Sequence, residues 1–78
     1  SIIANARMEW TDFNKEFGPI IPKGEYETIG GYIISELGRI PNKGEHLFMS
    51  IGQIMIVNAS ARKINQVQIY PAEESLYE

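Results

Sequence analysis

The apolar positions of this chain change period as it proceeds. Ile2 and Ile3 open a short β-prone segment predicted over Ser1–Ala6, with Asn5-Ala6 as its exit. Trp10, Phe13 and Phe17 then recur at i, i+3 and i+7, one face of a 3.6-residue period, and predict a helix over Met8–Phe17 whose first residue lies between Met8 and Thr11. Glu9 and Asp12 suit its start, where the helix dipole favours anions, and Gly18-Pro19 ends it. The segment from Gly18 to Gly24 is a proline-stiffened connection. Glu27-Thr28 offers an N-cap for a second helix, in which Ile29, Ile33 and Leu37 repeat at i, i+4 and i+8. Gly38 suits the left-handed position that closes a helix, and Pro41 forbids its resumption.

Beyond Gly44 the period drops to two. Leu47, Met49 and Ile51 alternate, then Ile54 and Ile56, then Val67 and Ile69. Gly52 is the predicted turn between the first two of these strands. Asn58-Ala59-Ser60-Ala61 is the predicted turn before the last, without the glycine that tight hairpins favour. Ile64 and Val67 differ in parity, which predicts a bulge or a late strand start between them. From Pro71 the chain turns acidic and polar, giving a domain over 1–70 and a flexible tail over 71–78. The order β-α-α-β-β-β predicts an α+β fold, an antiparallel sheet with two helices on one face.

Composition narrows the possible partners. Seventy-eight residues with 44% apolar and 22% charged side chains suit one small globular domain. A net charge of −3 with scattered cations leaves no footprint for nucleic acid. The absence of cysteine excludes disulfides and thiolate metal sites. No apolar run is long enough to span a bilayer, and no segment is amphipathic enough to insert into one. The chain opens Ser1-Ile2-Ile3 without an initiator Met and is expected to be a domain of a longer protein.

Little in the chain points to catalysis. His46 is the single histidine and begins a strand, where a surface imidazole needs no further role. Ser35, Ser50, Ser60 and Ser75 have no nucleophile-elbow context. Glu25 with Glu27, and Glu73 with Glu74, are too few for a hard cation that takes about six oxygens. The expectation is a domain that is not an enzyme and holds no metal.

The adjacent glycines Gly30-Gly31 carry the one candidate ligand site. Each costs about 1 kcal/mol against alanine inside a helix, a cost accepted where something approaches the backbone closely. Thr28, Gly30 and Gly31 are therefore the candidate cofactor-binding residues. They match neither a dinucleotide fingerprint nor a P-loop, and Glu25 and Glu27 flank them with negative charge. Close packing of the helix against its neighbours is the competing explanation.

Thr28-x-Gly30-Gly31, followed after six residues by Leu37-Gly38-Arg39-Ile40-Pro41, then Gly44 and an alternating β run, resembles the CorC/HlyC transporter-associated domain. Phe13-Asn14-Lys15-Glu16-Phe17-Gly18 is similar to that family's first helix, and Ile54, Ile56, Ile64, Val67 and Ile69 match its strand positions. The family's usual Asp-Gly is replaced by Asn5-Ala6, and a glycine of its last hairpin by Ser60-Ala61. The resemblance implies a fold similar to half of a vanillyl-alcohol-oxidase-type FAD-binding domain. It implies a place on the cytoplasmic side of the cell membrane, following transmembrane and CBS domains in magnesium and cobalt efflux proteins or haemolysin-like proteins. The expected partners are those CBS and transmembrane domains, or a second copy in a homodimer. The alternative it implies is a module binding FAD or an adenine nucleotide at Thr28, Gly30 and Gly31.

Overall fold

The computed structural model describes residues 1–72. In chain order the elements are β1 (Ile2–Asn5), α1 (Trp10–Phe17), α2 (Ile29–Leu37), β2 (His46–Met49), β3 (Gly52–Ala59) and β4 (Ile64–Pro71). The strands form one antiparallel sheet in the order β1-β4-β3-β2. Strict alternation sends Ala4, Leu47, Ile54, Ile56, Val67 and Ile69 to one face, where they meet Phe13, Ile29, Tyr32 and Ile33 of the helices in a single core. Both helices lie on that face, as the periodicity predicts.

The opposite face carries three cross-strand rows, one of them the polar Asn5, Gln66 and Asn58. Ile3, Gln68, Met55 and His46 span all four strands, and Tyr70, Gln53 and Phe48 span three.

Several boundaries differ from the sequence reading, each for a local reason. The first helix starts at Trp10, within the Met8–Thr11 range left open by the sequence, because Glu9 is extended and forms an isolated bridge with Thr28. Trp10 N–H donates to the Glu27 carbonyl and Ile29 N–H to the Met8 carbonyl, so the two helix starts are tied side by side. Phe17, placed on the buried stripe by its spacing, is 40% exposed at the helix end and packs its ring against Phe13.

The first hairpin turns at Ser50-Ile51, not at Gly52, which opens β3 opposite Met49 and Pro71. Gly52 has φ of 134°, and a Cβ there would collide with the Tyr70 carbonyl, so the glycine serves strand approach and not the turn itself. The second hairpin turns after Ala59, two residues later than the sequence pattern suggests. Ser60 Oγ accepts from the N–H groups of Arg62 and Lys63 at 3.3 Å each, supplying by side chain what a glycine supplies by conformation.

The parity change between Ile64 and Val67 is a bulge, as expected, and it has a partner. Ile56 pairs with Val67, Asn58 with Gln66 and Ala59 with Ile64, so Val57 is the extra residue on β3 and Asn65 on β4. The two irregularities cancel, and the apolar face resumes in phase. The Asn65 carbonyl freed by the bulge accepts from Ala6 N–H at 2.9 Å. Pro71, assigned to the tail by composition, is the buried last residue of β4. The rest of that acidic segment, from residue 73, lies outside the described residues.

Candidate functional site

The N-terminus of α2 is where Thr28, Gly30 and Gly31 come together. Thr28 is extended and caps the helix, its Oγ1 accepting from Gly31 N–H at 3.0 Å. Ile29 N–H donates to the Met8 carbonyl at 3.0 Å, and Gly30 N–H to the Ala6 carbonyl at 2.8 Å. The three amides that a helix start would offer an anion are thus all taken by the protein.

The two glycines have different neighbours. A Cβ on Gly30 would lie 3.2 Å from the Ala6 carbonyl oxygen and 3.4 Å from the Ala6 Cβ. A Cβ on Gly31 would lie 3.2 Å from Thr28 Oγ1 and 3.3 Å from the Tyr26 Cβ. Gly30 is therefore the position where helix meets backbone, namely the chain leaving β1. Packing, and not a ligand, is what approaches it.

A shallow groove of about 230 Å³ runs past this point, lined by Thr28, Gly30, Gly31 and Ile34 with Arg7 and Lys63. Sites that bury a drug-sized ligand occupy about 300–1,000 Å³, so the groove falls short even for ligands smaller than a flavin dinucleotide. With the helix amides already paired, the residues present do not fit FAD, and no chemistry is routed through it.

Two polar clusters that motif reasoning passed over join distant parts of the chain. Asn14, on α1, donates from Nδ2 to the Ile21 carbonyl at 2.7 Å and accepts from Ile21 N–H at 3.0 Å. Its amide acts as a strand neighbour for a residue in the proline-rich connection. An Asn in a helix followed by a Gly-Pro exit was the available signal. Glu36, on α2, accepts at Oε1 from the Tyr32 hydroxyl at 2.8 Å and the Ser50 hydroxyl at 2.9 Å, and at Oε2 from Ser50 N–H at 3.1 Å. Burial pushes the Glu36 carboxyl up, but the Ser50 N–H and the two hydroxyls outweigh it and hold it below the usual carboxylate range. Burial pushes the Tyr32 phenol up to about 12. No sequence signal links Glu36 to Ser50, because the contact exists only once the hairpin has folded.

The turn after α2 has its own clasp. Arg39 pairs with both oxygens of Glu45, and Glu45 Oε1 also accepts from Asn42 N–H at 2.9 Å. The Arg39 hydrogen bond, with the Asn42 amide, holds the Glu45 carboxyl at about 2. His46 is exposed at the start of β2. Among the described residues no three His, Asp or Glu side chains converge on a point that could hold a metal ion, and no helix is long and apolar enough to cross a membrane.

The profile of the CorC_HlyC family, described as a transporter-associated domain, matches residues 1–73. Among curated proteins, Hemolysin C of Brachyspira hyodysenteriae is 34% identical over 68 residues, covering 86% of this chain and 25% of its own length. The magnesium and cobalt efflux protein CorC of Escherichia coli K12 is 33% identical over 78 residues, covering 90% of this chain and 27% of its own. The chain thus spans about a quarter of the length of these relatives. Among solved structures, a region described as Mg2+ and Co2+ transporter (CorC) associated, from Neisseria meningitidis, superposes with a TM-score of 0.72 at 32% identity, covering 83% of this chain and 80% of that one.

Proposed function

Because the chain belongs to the CorC/HlyC transporter-associated domain family, we propose that it is a non-catalytic accessory domain of a magnesium or cobalt transporter or a haemolysin-like membrane protein. It acts from the cytoplasmic side of the cell membrane, by docking onto CBS or transmembrane domains of its own parent chain or onto a second copy. One observation carries this reading: the glycine segment that marks the family is consumed by the fold. Gly30 N–H and Gly31 N–H are paired internally, so the segment builds the fold and leaves binding to surfaces.

A rigid accessory body influences transport only if its contacts differ between two states of the transporter. The test is made in a parent protein carrying this domain. Metal efflux is measured in membrane vesicles with the domain present and with residues 1–72 deleted, across a range of metal loads. The expected result is that transport persists while its dependence on metal load shifts. Identical load curves for the two proteins would overturn the reading.

A further inference from the structure

Of the apolar stripe on α1, Phe13 is buried and Trp10 packs against the core, but Phe17 stays 40% exposed. Its ring forms one wall of a groove of about 260 Å³. The other walls are Pro19 and Ile20, where the chain leaves α1, and Ile2 and Pro71, at the ends of β1 and β4. A second groove of about 280 Å³ shares Pro19, Ile20 and Pro71 with the first and continues to Ile51 and Ala72. Among the described residues no charged side chain lines either one, so the two accept apolar side chains.

We propose that these joined grooves seat the chain's own segment from residue 73 onward, with Leu76 and Tyr77 as the inserted side chains. The point where the chain leaves the fold is fixed. Ala72 N–H donates to the Ile51 carbonyl at 2.8 Å, which holds the last described residue on the wall of the second groove. The residues beyond it read Glu73-Glu74-Ser75-Leu76-Tyr77-Glu78. Leu76 comes four residues after Ala72, a reach of at most about 14 Å, and Tyr77 has at most about 18 Å. The grooves at Phe17 and Ile51 lie within that span. The groove beside Gly30 and Ile64 does not, because it sits at the far end of β4, which is 8 residues and about 26 Å long.

Tethering decides the occupant. A segment joined directly to a groove wall meets that groove at an effective concentration of about millimolar. A second copy, or any other apolar partner arriving from solution, has to bind more tightly than that to displace it. Leu76 and Tyr77 are the large apolar groups the segment offers, while Glu73 and Glu74 find no charge on the walls and stay in water. Seating Leu76 against Phe17 also covers the end of the stripe that the 3.6-residue period marks for burial. The segment then acts as a strap, in place of the flexible tail that composition predicts. The face around Phe17 opens to another domain only when that domain outcompetes the tether. This goes beyond the accessory reading above and does not depend on it.

The test is NMR of the 78-residue chain at low and at high protein concentration. Contacts between the Leu76 methyl groups and the Phe17 ring are expected at both, with order parameters over residues 73–77 near those of the folded body. Leu76→Ser combined with Tyr77→Ser is expected to abolish these contacts and to lower the order parameters of the segment below about 0.6. The same double variant is expected to shift the amide resonances of Gly18 and Ile20 and to leave those of Gly31 and Lys63 in place. Order parameters below about 0.6 over residues 73–77 of the unsubstituted chain overturn the proposal. So do Gly18 and Ile20 resonances that the double variant leaves unmoved. Contacts between Leu76 and Phe17 that form only at high concentration overturn it as well, since they assign the groove to the segment of a second copy.

Discussion

Gly30 N–H donates to the Ala6 carbonyl at 2.8 Å, and a Cβ on Gly30 would sit 3.2 Å from that same oxygen. The hydrogen bond that starts α2 and the close approach that demands glycine are one contact. It fastens the second helix to the chain leaving β1, and the bulge carbonyl of Asn65 holds the other side of Ala6.

Substituting the two glycines separates backbone from side-chain crowding. Alanine gains about 1 kcal/mol of helix propensity over glycine. At Gly30 the gain is opposed by a backbone oxygen that cannot retreat without losing its hydrogen bond, so Gly30→Ala is expected to destabilise by about 1 kcal/mol. At Gly31 the neighbours are the side chains of Thr28 and Tyr26, which yield more readily, and Gly31→Ala is expected to be close to neutral. Urea unfolding of both variants checks this. Equal losses would show that the Ala6 contact is not what selects glycine.

The same geometry bears on nucleotide binding. With the amides of Ile29, Gly30 and Gly31 paired internally, a phosphate at the α2 start would have to break protein hydrogen bonds that it replaces at no net gain. Calorimetry of the chain with FAD and with ATP is expected to give no binding heat. Saturable heat lost on Gly31→Ala substitution would instead establish the nucleotide module.

Asn14 tests whether the proline-rich connection is held by its prolines or by α1. Asn14→Ala removes both partners of Ile21 and leaves a buried residue with an unpaired N–H and carbonyl. A loss of about 2 kcal/mol is expected. Asn14→Asp keeps an acceptor for Ile21 N–H but sets a carboxylate oxygen against the Ile21 carbonyl, and is expected to be no better than alanine. Full stability of Asn14→Asp would show that only the acceptor matters.

The fold was legible wherever one face of an element is buried, because burial imposes a period. Ile29 and Ile33 mark α2, and the alternation through Ile54, Ile56, Val67 and Ile69 marks the central strands. The turns were less legible. Gly52 looks like a turn residue but is required by the Tyr70 backbone across the sheet, and Ser60 replaces a glycine through its hydroxyl. Such contacts are set by residues far apart or by side-chain orientation, and neither leaves a periodic trace. The candidate site divides the same way. Thr28, Gly30 and Gly31 were identifiable as a group from spacing, and the Thr28 cap on Gly31 is local, whereas Ala6 and Met8, which take the amides of Gly30 and Ile29, lie more than twenty residues earlier and are invisible to any local pattern.

The hairpin at Ser50-Ile51 has no residue with positive φ at its two central positions, so it lacks the primed turn that fits tight hairpins. It is held from outside by Glu36, which makes the turn sensitive to acid. The folded-state pKa of Glu36 is lowered, so its contribution is present above the ordinary carboxylate value and is lost as pH falls through the folded value. Glu45, held at about 2, acts with the same sign, and its share fades between the usual 4.5 and about 2. Tyr32 acts at the other end. Its raised value keeps the phenol neutral, so its contribution is complete below the ordinary 10 and is lost as pH rises through about 12. Stability measured by urea midpoint is therefore expected to fall from about pH 5 toward about pH 2 and again above about pH 10. Glu36→Gln is expected to lower the midpoint near neutral pH and to flatten the acid limb, since the group that titrates is gone. An acid limb of unchanged slope would mean that the hairpin does not depend on the Glu36 carboxylate.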